Sequence, residues 1–129
     1  RDILWGGLTS GVIDLVESDH APHTKEEKLS PKPPFGVPGL ETTLGLLLKA
    51  AKDRLLTLEK IKQLLYYEPK RIFNIPELAC TYIEFNPDKP YIVEETKLET
   101  KCGWSPFAGW ELYGKVEQVV LKGKTLLKN

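Results

Sequence analysis

The sequence has only two histidines, and both fall in the stretch Ser18-Asp19-His20-Ala21-Pro22-His23-Thr24. A carboxylate and two imidazoles this close together could hold a metal ion, move a proton or bind an anion. Each also has a plain structural use. Asp19 could cap a turn. His20, next to Asp19, points the other way by strand alternation and is expected to brace the backbone by hydrogen bonds. His23, four residues past Asp19, sits where a turn could bring it back over the same spot, or it could be an inert loop residue.

What precedes this stretch bears on the choice. Residues 2–10 (DILWGGLTS) carry apolar positions at helical spacing, and Gly11 is a plausible stop. Residues 12–19 (VIDLVESD) are a short β-branched, apolar run ending in polar residues, read as a buried strand. Asp19 would then emerge at the carboxyl end of that strand, where α/β barrels keep their active residues.

Residues 20–38 contain five prolines and the charged run KEEK, so most of this span must be loop. A loop this long in a compact fold is usually functional or disordered. Leu40, Leu44, Leu47, Leu48, Ala51 and Leu55 repeat at helical spacing and predict an amphipathic helix over roughly 40–54. Thr57 is a suitable N-cap for a second helix carrying Ile61, Leu64 and Leu65, with a further short turn from Pro69. After residue 80 the character turns to β. Strands are expected at 81–85 and 91–93, an irregular stretch at 96–110, and a hairpin pairing 116–121 with 125–127. A strand, then helices, then a β section fits the end of an α/β protein. A whole eight-stranded barrel needs about 250 residues, so only its last strand and helices fit here.

Composition narrows the partners. Lys plus Arg and Asp plus Glu are both 18, leaving no positive excess to attract nucleic acid. No apolar run approaches a membrane span. Cys80 and Cys102 have no CxxC companion and are read as reduced thiols of a cytoplasmic protein. The chain lacks methionine altogether, and we read it as a fragment.

Four segments, in order, resemble dihydroorotases of the amidohydrolase superfamily. Residues 16–24 (VESDHAPHT), followed by EEK at 26–28, are similar to the signature after the eighth barrel strand. Residues 34–42 (PFGVPGLET) resemble the second loop motif, 67–73 (YEPKRIF) the short helix after the barrel, and 105–111 (SPFAGWE) the segment before the final strands. The first is highly specific; the other three gain weight together.

The resemblance implies a C-terminal part of a TIM-like (β/α)8 barrel over 1–79 and a post-barrel β section over 80–129. It implies reversible, metal-dependent cyclisation of N-carbamoyl-L-aspartate to L-dihydroorotate in pyrimidine synthesis. Asp19 would be metal ligand and proton shuttle. His23 would hold the substrate carboxylate, and Phe35 and Gly36 would meet the ring through their backbone. The implied cofactor is zinc, one or two ions. The family's HxH pair, carbamylated lysine and two further histidines have no counterpart here, so the remaining ligands are expected outside this chain and the piece alone is expected to be inactive. Implied partners are the N-terminal remainder, a second copy, or aspartate transcarbamoylase.

Other cyclic amidohydrolases, allantoinase or hydantoinase, share the aspartate but typically lack the histidine four residues on. A silent dihydroorotase-like subunit is a further alternative, and a free-standing binding module has little support. Glu68 stands where the family commonly has asparagine. Residues 97–104 (KLETKCGW) follow the family loosely and are read as not touching the proposed chemistry.

Overall fold

A computed structural model describes residues 2–128. Helix α1 (Asp2–Ser10) comes first, and Gly11, at φ 83°, ends it in the left-handed conformation that glycine adopts without strain. The long loop is interrupted by one turn of helix, α2 (Lys25–Lys28). Thr24 caps it: its hydroxyl accepts from the Glu27 N–H while the Glu27 carboxylate accepts from the Thr24 N–H.

Helix α3 (Thr43–Lys52) follows, its apolar stripe turned to the core. Thr57 caps α4 (Leu58–Lys62), as its position predicted. A wider π turn over Gln63–Tyr67 joins α4 to α5 (Glu68–Ile72), with the Glu68 N–H reaching back to the Gln63 carbonyl. Pro69 accounts for the irregularity. It has no N–H for the carbonyl four residues back, and its ring would crowd that carbonyl in a normal helix.

The second half forms two small antiparallel sheets. One has the order β1 (Tyr82–Phe85), β4 (Val116–Leu121), β5 (Lys124–Lys128), and the other pairs β2 (Pro90–Ile92) with β3 (Glu111–Tyr113). Lys122 and Gly123, both at positive φ, make the two-residue turn of the β4–β5 hairpin. Strand β3 is absent from the sequence reading, because ELY is too short to show alternation.

Leu47, Leu48, Ala50, Leu56 and Ile61 form the core, with Leu64 and Leu112 fully enclosed nearby. Gly45 lets the β2–β3 ribbon lie on α3. A Cβ there would stand 2.5 Å from the Tyr91 hydroxyl and 3.1 Å from Leu112. Among the described residues no helix is long and apolar enough to cross a membrane.

Residues 12–19, expected as a buried strand, form no regular element. Val12 is 79% exposed and the other apolar residues of the run are at best half-buried. A strand read from an apolar run needs neighbours to take its N–H and C=O groups. Among the described residues none lies alongside, and the ties are Ile13 N–H to the Gly7 carbonyl and Val16 N–H to the Leu64 carbonyl. Both cysteines are free, Cys80 exposed and Cys102 buried.

Candidate functional site

The stretch around Asp19 and the loop around Gly36 lie against each other. The Ala21 N–H donates to the Val37 carbonyl at 3.1 Å, and the Gly39 N–H donates to His20 Nδ1, also at 3.1 Å. Gly36 sits at φ 85°, and a Cβ on it would stand 2.5 Å from the Ala21 Cβ. The loops approach closely enough to require glycine at that position.

Asp19 has a φ of 44°, a left-handed conformation that its short polar side chain tolerates better than most. Its N–H donates to the Glu17 carboxylate at 2.8 Å, and its own side chain is exposed. His20 braces the backbone as expected. With Nδ1 accepting from Gly39, the neutral ring carries its proton on Nε2.

His23 is half-buried. Its N–H donates to the Ala21 carbonyl, and its Nδ1 lies 3.7 Å from a Glu27 carboxylate oxygen, outside hydrogen-bond range. Phe35 is 96% exposed. Asp19, His23, Phe35 and Gly36 therefore come from two loops fastened to each other.

Residues 97–104 lie beside the site through a main-chain contact: the Trp104 indole N–H donates to the His23 carbonyl at 2.7 Å. A half-buried tryptophan must place its single N–H on an acceptor, and the carbonyl between α2 and the Asp19 stretch is that acceptor. Glu41 makes a second tie that sequence reasoning passed over. Its carboxylate accepts from the N–H groups of Glu99 (2.9 Å) and Thr100 (2.8 Å). Trp104 stands out in the sequence only as the single aromatic of residues 97–104, with nothing to name its partner. Glu41 offered no signal, since its partners are backbone groups far along the chain.

These residues do not make a metal site by themselves. Among the described residues no three His, Cys, Asp or Glu side chains cluster suitably. His20 Nδ1 is engaged and His23 Nδ1 faces a carboxylate, so the Asp19 carboxylate and His23 Nε2 are the donors these loops could offer. A cavity of about 780 Å³ opens elsewhere, between α3 and the two sheets, lined by Glu41, Tyr91, Leu98, Lys115, Val119 and Leu127 among others. Burial pushes the Tyr91 phenol above its ordinary value, and the Glu41 carboxylate adds to the shift.

Comparison with known proteins addresses the family directly. The chain is 33% identical over 134 residues to the dihydroorotase of Pyrococcus furiosus, covering 99% of this chain and 31% of that enzyme. It is 45% identical over 121 residues to the multifunctional protein pyr1-3 of Dictyostelium discoideum, covering 94% of this chain and 5% of that protein. Along nearly its whole length the chain is dihydroorotase-like. No family model matches it.

The inactive dihydroorotase-like domain of the Chaetomium thermophilum CAD-like multifunctional protein superposes with a TM-score of 0.77 at 28% identity, over 98% of this chain and 35% of that one. A D-hydantoinase from Thermus sp. gives a TM-score of 0.86 at 23% identity, over 98% of this chain and 31% of that one, and speaks for the fold alone. The fold is thus the mixed α/β fold of dihydroorotase and hydantoinase domains. The chain spans under a third of the length of the archaeal dihydroorotase it matches.

Proposed function

We propose that residues 1–129 form the C-terminal part of a dihydroorotase, with 1–79 closing the hydrolase barrel and 80–129 forming the post-barrel β section. The reaction is the reversible cyclisation of N-carbamoyl-L-aspartate to L-dihydroorotate in pyrimidine synthesis. The observation that carries this is the fastening of the Asp19–His23 stretch to the Phe35–Gly36 loop by the Ala21–Val37 and His20–Gly39 hydrogen bonds. These bonds support the reading by tying the stretch that carries Asp19 and His23 to the loop that carries Phe35 and Gly36.

Asp19 is the reacting carboxylate. Opening a cyclic amide requires taking a proton from the attacking water and delivering one to the leaving nitrogen, and one carboxylate can do both in turn. His23 holds the substrate carboxylate, and Phe35 and Gly36 meet the ring through their backbone. The family's metal, zinc in our reading, supplies activation of that water when bound. Its other ligands belong to residues outside this chain, so residues 1–129 alone have no activity. Barrel strand eight forms over 12–19 when the N-terminal remainder supplies its neighbours. The complete protein works in the cytoplasm, as an oligomer or beside aspartate transcarbamoylase.

Assaying the complete protein on dihydroorotate, allantoin and a hydantoin tests this. Turnover of dihydroorotate well above the other two is expected, and preference for either other substrate would overturn the assignment. One observation favours a second reading, a silent subunit: the inactive dihydroorotase-like domain aligns over 98% of the chain. Asp19 and His23 are both present here, which favours the active form. Absence of all turnover in the complete, metal-supplied protein would reverse that preference.

A further inference from the structure

The ammonium of Lys28, at the end of α2, donates to two carbonyls of the second loop, Pro34 and Gly36, the latter at 3.0 Å. The lysine is half-buried, and its helix is fixed by the Thr24–Glu27 capping box directly after His23. An ammonium has three donors and no acceptor, so it gathers carbonyl oxygens to itself. Carbonyls two residues apart can converge on one cation here because Gly36 takes φ 85°.

Peptide planarity carries the consequence further. In a trans peptide the C=O and the N–H point in opposite directions. The Pro34 carbonyl shares its peptide with the Phe35 N–H, and the Gly36 carbonyl shares its peptide with the Val37 N–H. Fixing both oxygens on Lys28 therefore turns both N–H groups away from it. Among the described residues, neither N–H has a hydrogen-bond partner. Two oriented, unpaired donors on an exposed loop beside the Asp19 stretch suit an acceptor such as a carboxylate or ring carbonyl.

We propose that Lys28 is a positioning residue: it holds the second loop so that the Phe35 and Val37 N–H groups face the substrate, and it couples that loop to the helix following His23. The substrate half of this rests on the function proposed above. The lysine does not touch substrate itself.

The test uses the complete protein with Lys28→Met, which keeps the stem and removes the donors, and Lys28→Arg, which restores donors. With dihydroorotate as substrate, Lys28→Met should raise KM about tenfold while kcat changes about twofold or less, the signature of lost binding rather than lost chemistry. Lys28→Arg should recover most of the loss. Hydrogen exchange supplies a readout independent of turnover. The Ala21 and Gly39 amides, which fasten the two loops, should exchange about tenfold faster in Lys28→Met.

An unchanged KM in an active Lys28→Met enzyme overturns the proposal, as does unchanged exchange at Ala21 and Gly39. A wild-type protein that ignores dihydroorotate overturns the function instead, and the exchange measurement then decides the role of the lysine alone.

Discussion

The α3 core and the paired loops over residues 18–42 are held together by opposite means. Around α3, Leu47, Leu48, Ala50, Leu56 and Ile61 are at most 7% exposed and pack as apolar side chains. In the loops before Pro38, by contrast, no residue from 18 to 37 is buried, and the ties are hydrogen bonds with backbone groups: Lys28 and Trp104 donate to carbonyls, His20 accepts from an N–H, and Ala21 N–H donates to the Val37 carbonyl. Apolar burial stabilises without direction, whereas hydrogen bonds fix orientation at small net gain. The core therefore sets whether the chain folds, and the loops set where a few chemical groups point.

Substitutions should separate these two roles. Leu48→Ala removes a side chain that is 2% exposed and packs against Gly114, so it should destabilise the complete protein by about 3 kcal/mol in denaturant unfolding. A loss below about 1 kcal/mol would mean that the α3 core is not the stabilising centre described. Gly36→Ala is expected to do the reverse. The positive φ and the clash with Ala21 should cost about 1–2 kcal/mol of local strain, while KM for dihydroorotate rises by about tenfold or more. Equal loss of stability and no change in KM would erase the distinction between the regions.

The smallest effect concerns Tyr91, where the core meets the cavity. Its folded-state pKa is raised by burial and by Glu41, so the neutral phenol is the form that suits the fold. That contribution is intact below the ordinary tyrosine value near 10 and is lost as pH rises through the folded value. Melting temperature should therefore fall more steeply above about pH 10 in the wild type than in Tyr91→Phe. Parallel curves for the two proteins would remove Tyr91 from the account.

The helices were legible because α3 and α4 carry local signals, a 3.6-residue apolar repeat and a Thr57 cap, that need no distant partner. The β4–β5 hairpin was legible for the same reason, with Gly123 in its turn. Residues 12–19 were not, since a β-branched run says what a segment would do beside other strands and not whether such strands adjoin it. In the site, the bracing role of His20 was anticipated although the strand invoked for it is absent, and Asp19, His23, Phe35 and Gly36 were singled out by resemblance of motif. Lys28, Glu41 and Trp104 escaped notice because each acts on carbonyls or N–H groups. Backbone acceptors leave no trace in side-chain spelling, and the Trp104 contact spans 81 positions.

The central claim is that the acid at position 19 performs the proton transfers of a dihydroorotate-opening reaction. Steady-state turnover of dihydroorotate by the complete protein, with and without Asp19→Asn, tests it most directly. A wild-type rate that falls by about a thousandfold or more in the variant, with the fold intact by circular dichroism, is the predicted result. An Asp19→Asn protein that works within about tenfold of wild type would contradict the account.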